Sequence, residues 1–295
     1  MPPGVEPPYR VIWDLWKRGE VLPVLGAGAT LAFQEVGVAR PPLGRELAQF
    51  LASDVQLSDE ADYADLAEIA SYYAAVAGRR GLNDRLREVM TLPTEPNPLH
   101  RFLASSGRPQ FIIVTTQDTA LEQAFDEVDA EYDVVVHQDS SSGTVLWWQH
   151  GAAEPLSTRS SDLDIDLTAR NVIYKPFGSI DRKKHRWDSF IIAEEDLLDL
   201  VSGFLRRTAI PPVFQPHIAE KNCLYLGFGL RSWVNRTILR ALSSSREVRF
   251  RVSWAIVFRP KQLESMFCET QNVRAFDLHL REFVKNVSRF GEPRL

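Results

Sequence analysis

Four polar or glycine-rich stretches carry the residue types able to do chemistry in this chain, and each follows a short apolar run. Gly26-Ala27-Gly28-Ala29-Thr30 follows Val21 to Leu25, and Thr115-Thr116-Gln117-Asp118 follows Phe111 to Val114. Pro176-Phe177-Gly178-Ser179-Ile180-Asp181 follows Asn171 to Lys175, and Gly227-Phe228-Gly229 follows Asn222 to Leu226. In the first stretch two glycines let the backbone turn tightly and approach a ligand closely. Backbone N–H groups at such a turn can point at a diphosphate, with the following helix adding the positive end of its dipole. The third glycine of the usual dinucleotide fingerprint is missing, so a plain tight turn fits the same residues. The second stretch gathers polar groups at a strand's carboxyl end, where open parallel sheets bind ligands. Asp118 and Thr119 suit the capping of the next helix equally well.

The elements that must position these residues can be read from periodicity. Tyr9 to Arg18 carries Val11, Ile12, Leu15 and Trp16 at helical spacing. Helices are predicted over Arg45 to Leu51, within an acidic, alanine-rich stretch from Ser58 to Met90, and over Leu99 to Ser105. Strands are predicted at the four apolar runs, at Tyr132 to His137, Val145 to Trp148, Val252 to Phe258 and Asn272 to Phe276, with a turn at Ser140-Ser141-Ser142-Gly143. The polar stretch from Glu154 to Asp166 reads as loop, Ile191 to Arg206 as a helix with structural acids (Glu194, Glu195, Asp196) in its first turn, and Ser232 to Leu242 and Asp277 to Val287 as further helices. Strands alternating with helices and broken by glycine at their ends predict an α/β fold: a Rossmann-like, doubly wound parallel sheet with a helical insertion. The whole chain, 1–295, reads as a single domain, with the helical insertion at about 54–107 and a β/loop insertion at about 132–170.

Composition narrows the function. Among 295 residues 44% are hydrophobic and 25% charged, ordinary globular values, and the net charge of -5 offers no general attraction to nucleic acid. Cys223 and Cys268 are too far apart in sequence for a zinc ribbon, and no metal ligand set is expected. The start Met1-Pro2-Pro3-Gly4 has no basic-then-apolar leader, and no long uncharged apolar run follows. A soluble protein of the reducing cytoplasm, away from membranes, is expected. Trp13, Trp16, Trp147 and Trp148 fit either core packing or a self-association surface.

Taken together, and in sequence order, the stretches resemble those of bacterial sirtuin-like domains related to silent information regulator proteins. Leu25 to Thr30 is similar to the family's Gly-Ala-Gly-x-Ser/Thr loop, and Ile113 to Glu122 to its Thr-Thr-Asn-Tyr-Asp…Leu-Glu segment. Tyr174 to Asp181 is similar to Tyr-Lys-Leu-His-Gly-Ser, and Leu224 to Arg236 to Leu-Gly-Tyr-Ser-Leu-x-Asp-Trp…Arg. Pro98-Leu99-His100 and Ser253-Trp254-Ala255 sit where comparable residues occur. The resemblance implies binding of NAD or an ADP-ribose-like nucleotide, with the diphosphate over Gly26, Ala27, Gly28 and Thr30 and with Thr116 and Gly178 in the same site. It places the adenosine half near Gly227, Phe228, Asn272 and Asp277. Family members deacylate lysine or, in bacterial defence against phage, hydrolyse NAD to nicotinamide and ADP-ribose, and they assemble into oligomers or pair with a sensor protein. Deacylating members carry a four-cysteine zinc module that two distant cysteines cannot make.

The resemblance also places the catalytic positions at Gln117, Asp118 and Phe177, where the family's asparagine and histidine are replaced and the Tyr-Asp is shortened to Asp118. Gln117 moves its amide by more than the roughly 1 Å that already costs about a hundredfold. Phe177 cannot accept a proton, and losing a general base costs on the order of 10²–10⁴ in rate. His137, His150 and His185 are the candidates for a relocated base. Three functions follow: a nucleotide-binding domain with lost or weak catalysis, an active NAD glycohydrolase with rearranged residues, and an assembly module without ligand.

Overall fold

The computed structural model describes residues 5–35, 40–57, 65–138, 143–181, 183–206, 208–244 and 252–291. The predicted turn at 140–142 and the start of the acidic stretch at 58–64 lie outside them. Helix α1 (Tyr9–Arg18) ends on Gly19 in the left-handed conformation and leads into β1 (Val21–Leu25). The single turn α2 (Gly28–Leu31) precedes α3 (Arg45–Asp54), α4 (Leu66–Met90) and α5 (Pro98–Ala104). Then come β2 (Phe111–Val114), α6 (Ala120–Glu127), β3 (Tyr132–His137), β4 (Thr144–Trp148), β5 (Leu156–Arg159) and β6 (Asn171–Lys175). The short β7 (Gly178–Ser179) and β8 (Ser189–Phe190) pair before α7 (Glu194–Arg206) and α8 (Gln215–Glu220). The chain ends with β9 (Asn222–Leu226), α9 (Trp233–Ser244), β10 (Ser253–Val257), α10 (Gln262–Thr270), β11 (Val273–Asp277) and α11 (Leu280–Ser288).

A nine-stranded sheet runs in the order β11-β10-β9-β1-β2-β6-β3-β4-β5. The pairings from β11 through β3 are parallel, and β4 and β5 join antiparallel at one edge. The central strands are continuous apolar runs because helices cover both faces. One face packs against α7, α8 and α9 through Leu200, Phe204, Ile218, Ile238 and Leu239. The other packs against α1, α5, α6 and α11 through Ile12, Leu103, Phe125 and Phe283. A third cluster joins α3 and α4 with Ile180, Phe190 and Ile192. The fold is thus a mostly parallel, Rossmann-like α/β sheet. After β1 the chain builds outward through β2, then returns to the other side of β1 with β9, so the order reverses at β1 and opens a crevice at the carboxyl ends there.

The structure corrects several local expectations. Residues 156–159 form an edge strand rather than loop; both faces of β5 are largely exposed, so its sequence lacks the apolar alternation that marks a half-buried strand. A 3-10 turn at Ser160–Asp162 follows it. Helix α7 begins at Glu194, not Ile191, because Asp196 turns back to accept the Ile192 and Ala193 N–H groups at 3.1 Å each. Helices α8 and α10 and the β7/β8 pair were not expected at all. Of the tryptophans, Trp16 is buried and stacks on Phe102, while Trp13, Trp147 and Trp148 are half-buried against the core, Trp13 packing on Phe102 and Trp147 donating to the buried Asp133 at 2.9 Å.

Candidate functional site

The glycine turn is built against the loop after β9. Gly26 N–H donates to Leu226 O at 3.1 Å, and Gly28 N–H to Gly227 O at 2.9 Å. A Cβ on Gly28 would stand 2.8 Å from the Gly227 backbone, and one on Gly227, whose φ is +62°, only 2.1 Å from Ala29 N. These glycines are required because two backbones cross in contact, independently of any ligand. The Ala29 and Thr30 N–H groups also bond back to Gly26 O and Ala27 O. The helix expected to lend its dipole is the four-residue α2, a single turn. The loop is therefore tightly closed on itself, with Ala27 half-buried and Thr30 buried at its rim.

At the end of β2, Thr115 donates from both its N–H and its hydroxyl to Leu25 O, 2.9 Å each, locking the two central strands. Thr116 is buried beside it. Gln117 is 8% exposed, and its side-chain amide donates to Phe177 O at 3.1 Å while its own carbonyl accepts from Ile180 N–H at 3.0 Å. Gln117 is thus tied by its side chain to the Phe177 main chain. Gly178, at φ +87°, is forced by the β7/β8 pair, since a Cβ there would sit 2.1 Å from Ser189 O. Asp118 is 3% exposed; one carboxylate oxygen accepts from Ala120 N–H at 3.0 Å just before α6, whose N-cap Thr119 makes no side-chain capping bond, and the other is buried with no partner among the described residues.

Beneath Asp118 lies an ion pair. Lys175 is fully buried at the end of β6, donating to Asp118 O and, at 2.8 Å, to Glu122 of α6. His100 is the imidazole that feels Asp118. Burial pushes its pKa down to about 4, with the Asp118 carboxylate acting in the opposite direction. Its Nδ1 accepts from Asn97 N–H at 3.3 Å, closing the cap of α5, and the Asn97 side chain in turn donates to Ala29 O at 2.9 Å, so α5 is tied to the glycine loop. The sequence reading noted His100 only as part of a motif; its proximity to Asp118 is a tertiary fact with no local signal.

The named histidines stand elsewhere. His137 is buried and held by Tyr174 Oη at 2.7 Å and Ala209 O at 2.8 Å, while His150 and His185 are exposed. Gly227 and the buried Phe228 lie at the carboxyl edge, and Asp277 ends β11 on the same edge, accepting from Arg259 N–H at 2.8 Å. Asn272 is not brought to them. It precedes β11 at the sheet's amino edge, in a left-handed turn (φ +55°) after α10. The reading that grouped it with Gly227 took the wrong end of the strand.

A family model described as a SIR2-like domain matches residues 110–276, more than half of the chain. The chain belongs to the SIR2-like domain family. That kinship relates it, at family level, to NAD-using Sir2 enzymes. The matched span runs from the start of β2 to the end of β11 and leaves the glycine turn outside. A solved structure concerned with the mechanism and regulation of Sir2 enzymes is similar to this SIR2-like chain at 12% identity and TM-score 0.45, covering 97% of this chain and 99% of that one. Among curated proteins nothing matches. Among the described residues no helix is long and apolar enough to cross a membrane, and no group of three or more His, Cys, Asp or Glu is placed to hold a metal ion. Both cysteines are buried in the core, and burial raises the Cys268 thiol to about 12.

The donor set of this SIR2-like site fits a nucleotide such as NAD in one definite respect. The second Asp118 oxygen is a buried acceptor with no donor among the described residues, a need that a carboxamide N–H or a ribose hydroxyl would meet.

Proposed function

We propose that this SIR2-like chain binds NAD or ADP-ribose at the carboxyl edge of its sheet and that its catalysis is lost or weak. The observation that carries this reading is the Gln117 to Phe177 hydrogen bond. At the positions where the family's asparagine and histidine would act, the Gln117 side-chain amide is tied to the Phe177 main-chain carbonyl, and neither side chain can take up a proton at neutral pH. Binding is supported by the unpartnered Asp118 oxygen and by the family's general use of NAD. Gly26, Ala27, Gly28, Thr30, Thr116, Gly178, Gly227, Phe228 and Asp277 remain the proposed contacts. NAD when bound would present a nicotinamide–ribose bond whose cleavage leaves a cation-like sugar centre. The test is a heat-stability shift with NAD and with ADP-ribose, followed by measurement of free nicotinamide in the same samples. A gain with little nicotinamide supports the reading; no gain with either nucleotide supports a ligand-free assembly module.

The second reading, slow NAD glycohydrolysis, is favoured by His100. This imidazole neighbours Asp118 and is neutral at neutral pH, but with a pKa near 4 it is a weak proton acceptor. Nicotinamide release that survives in Gln117→Ala and disappears in His100→Asn would establish it. With either activity we propose a cytoplasmic setting in bacterial defence against phage, in an oligomer or beside a sensor protein. What supports that setting is the resemblance to defence proteins, and phage plating with and without the gene tests it.

A further inference from the structure

The β7/β8 hairpin is gripped from two sides. Toward the site, Ile180 N–H donates to Gln117 O at 3.0 Å and Ile191 N–H to Phe177 O at 3.1 Å, so the hairpin carries the wall formed by Gln117 and Phe177. Away from the site, two arginines of α4 reach it. Arg79 donates to Phe190 O and to Asp196, 2.6 Å each. Arg87 Nε donates at 2.5 Å to Asp188, whose side chain is 3% exposed and whose other oxygen accepts from Asp181 N–H at 2.7 Å. Asp181 in turn gathers the N–H groups of Lys183, Lys184, Arg186 and Trp187 at 3.0–3.4 Å, so one buried carboxylate shapes the loop and a second hands it to α4.

Both arginines follow Gly78, where α4 leaves helical geometry (φ +77°, ψ +158°) and its two segments meet. Ile180, Phe190 and Ile192 pack in the same cluster as the buried faces of α3 and α4. Movement of the second segment of α4 therefore has a direct polar and apolar route to Phe177. We propose that Arg79 and Arg87 are positioning residues: they fix the hairpin that closes the Gln117–Phe177 wall, and through it they set the affinity of the site. The affinity clause rests on the nucleotide-binding reading above; the mechanical clause does not.

The test is amide hydrogen exchange on the full chain, resolved at Ile180 and Ile191, in wild type, Arg87→Ala, Arg87→Lys, Asp188→Asn and the Arg87→Ala/Asp188→Asn pair. Loss of one charge-assisted bond should speed exchange at both amides roughly tenfold. The β1–β9 ladder should stay unchanged, and the double variant should do no more than either single one. Arg87→Lys, which keeps the charge without the fork, should fall between and remains informative if Arg87→Ala does not fold. Unchanged exchange at Ile180 and Ile191, or an equal rise throughout the sheet, overturns the clamp. ADP-ribose titration of the same proteins should show a several-fold weakening, because binding must then order a looser wall; faster exchange with undiminished affinity overturns the transmission to the site. A wild type that binds no nucleotide fails the functional reading, while the exchange result still decides the clamp.

Discussion

His100 makes the sharpest quantitative prediction. Its ring is buried in the folded chain with a pKa near 4, against an ordinary value of 6.5. Burial is the main cause, and the neighbouring Asp118 carboxylate opposes it. Between those two values the unfolded chain binds a proton that the folded chain refuses, so stability is full above pH 6.5 and is lost as the pH falls toward 4. At about 1.4 kcal/mol per unit, the loss from this one group is about 2 kcal/mol at pH 5 and about 3 kcal/mol by pH 4. Urea unfolding of wild type and His100→Asn at pH 7.5, 6, 5 and 4 isolates it, because carboxylates that titrate in both proteins cancel in the difference. Asparagine keeps an acceptor for Asn97 N–H and cannot be protonated, so the variant should be less stable than wild type at pH 7.5 and close most of the gap by pH 4. Parallel stability curves for the two proteins would refute the placement of a neutral, buried imidazole beside Asp118.

The buried pair and the crossing loops give further predictions. Lys175→Met strips Glu122 of its ion-pair partner and should cost about 3–5 kcal/mol, whereas Lys175→Met with Glu122→Leu should recover most of it, read by urea denaturation as a double-mutant cycle. Gly227→Ala puts a Cβ on the Ala29 backbone at positive φ and should destabilise by on the order of 3 kcal/mol in thermal unfolding, with no nucleotide present. An unaffected Gly227→Ala would show that the two loops do not cross as described. Because the same backbone contact surrounds Gly28, loss of nucleotide binding in a Gly28 variant must be read beside its own stability.

The sheet was legible wherever strands are buried on both faces. Val21 to Leu25, Phe111 to Val114 and Asn222 to Leu226 announce themselves as apolar runs, and each was placed within a residue of its observed ends. Strand β5 was not legible, because an edge strand exposed on both faces needs no apolar pattern. The α8 and α10 helices are short, and their buried faces are set by neighbours that sequence does not reveal. At the site, the pairing of Gln117 with Phe177 could be suspected as two departures but not seen as one hydrogen bond. His100 and the Lys175–Glu122 pair depend on residues brought together across α5, α6 and β6. Asn272 shows the converse: a polar residue next to a strand reads the same at either end, and only the strand's direction decides which edge it serves.

The central claim is that a site closed by Gln117 and Phe177 still binds nucleotide through Asp118 while hydrolysing little of it. Its most direct test is the heat-stability shift of wild type and Asp118→Asn with NAD and ADP-ribose, with free nicotinamide measured over hours. The account predicts a gain of about 2.7 kcal/mol for wild type at a nucleotide concentration 100 times the dissociation constant, a much smaller gain for Asp118→Asn, and little nicotinamide. Rapid nicotinamide release by the wild type, or equal shifts for both proteins, would contradict it.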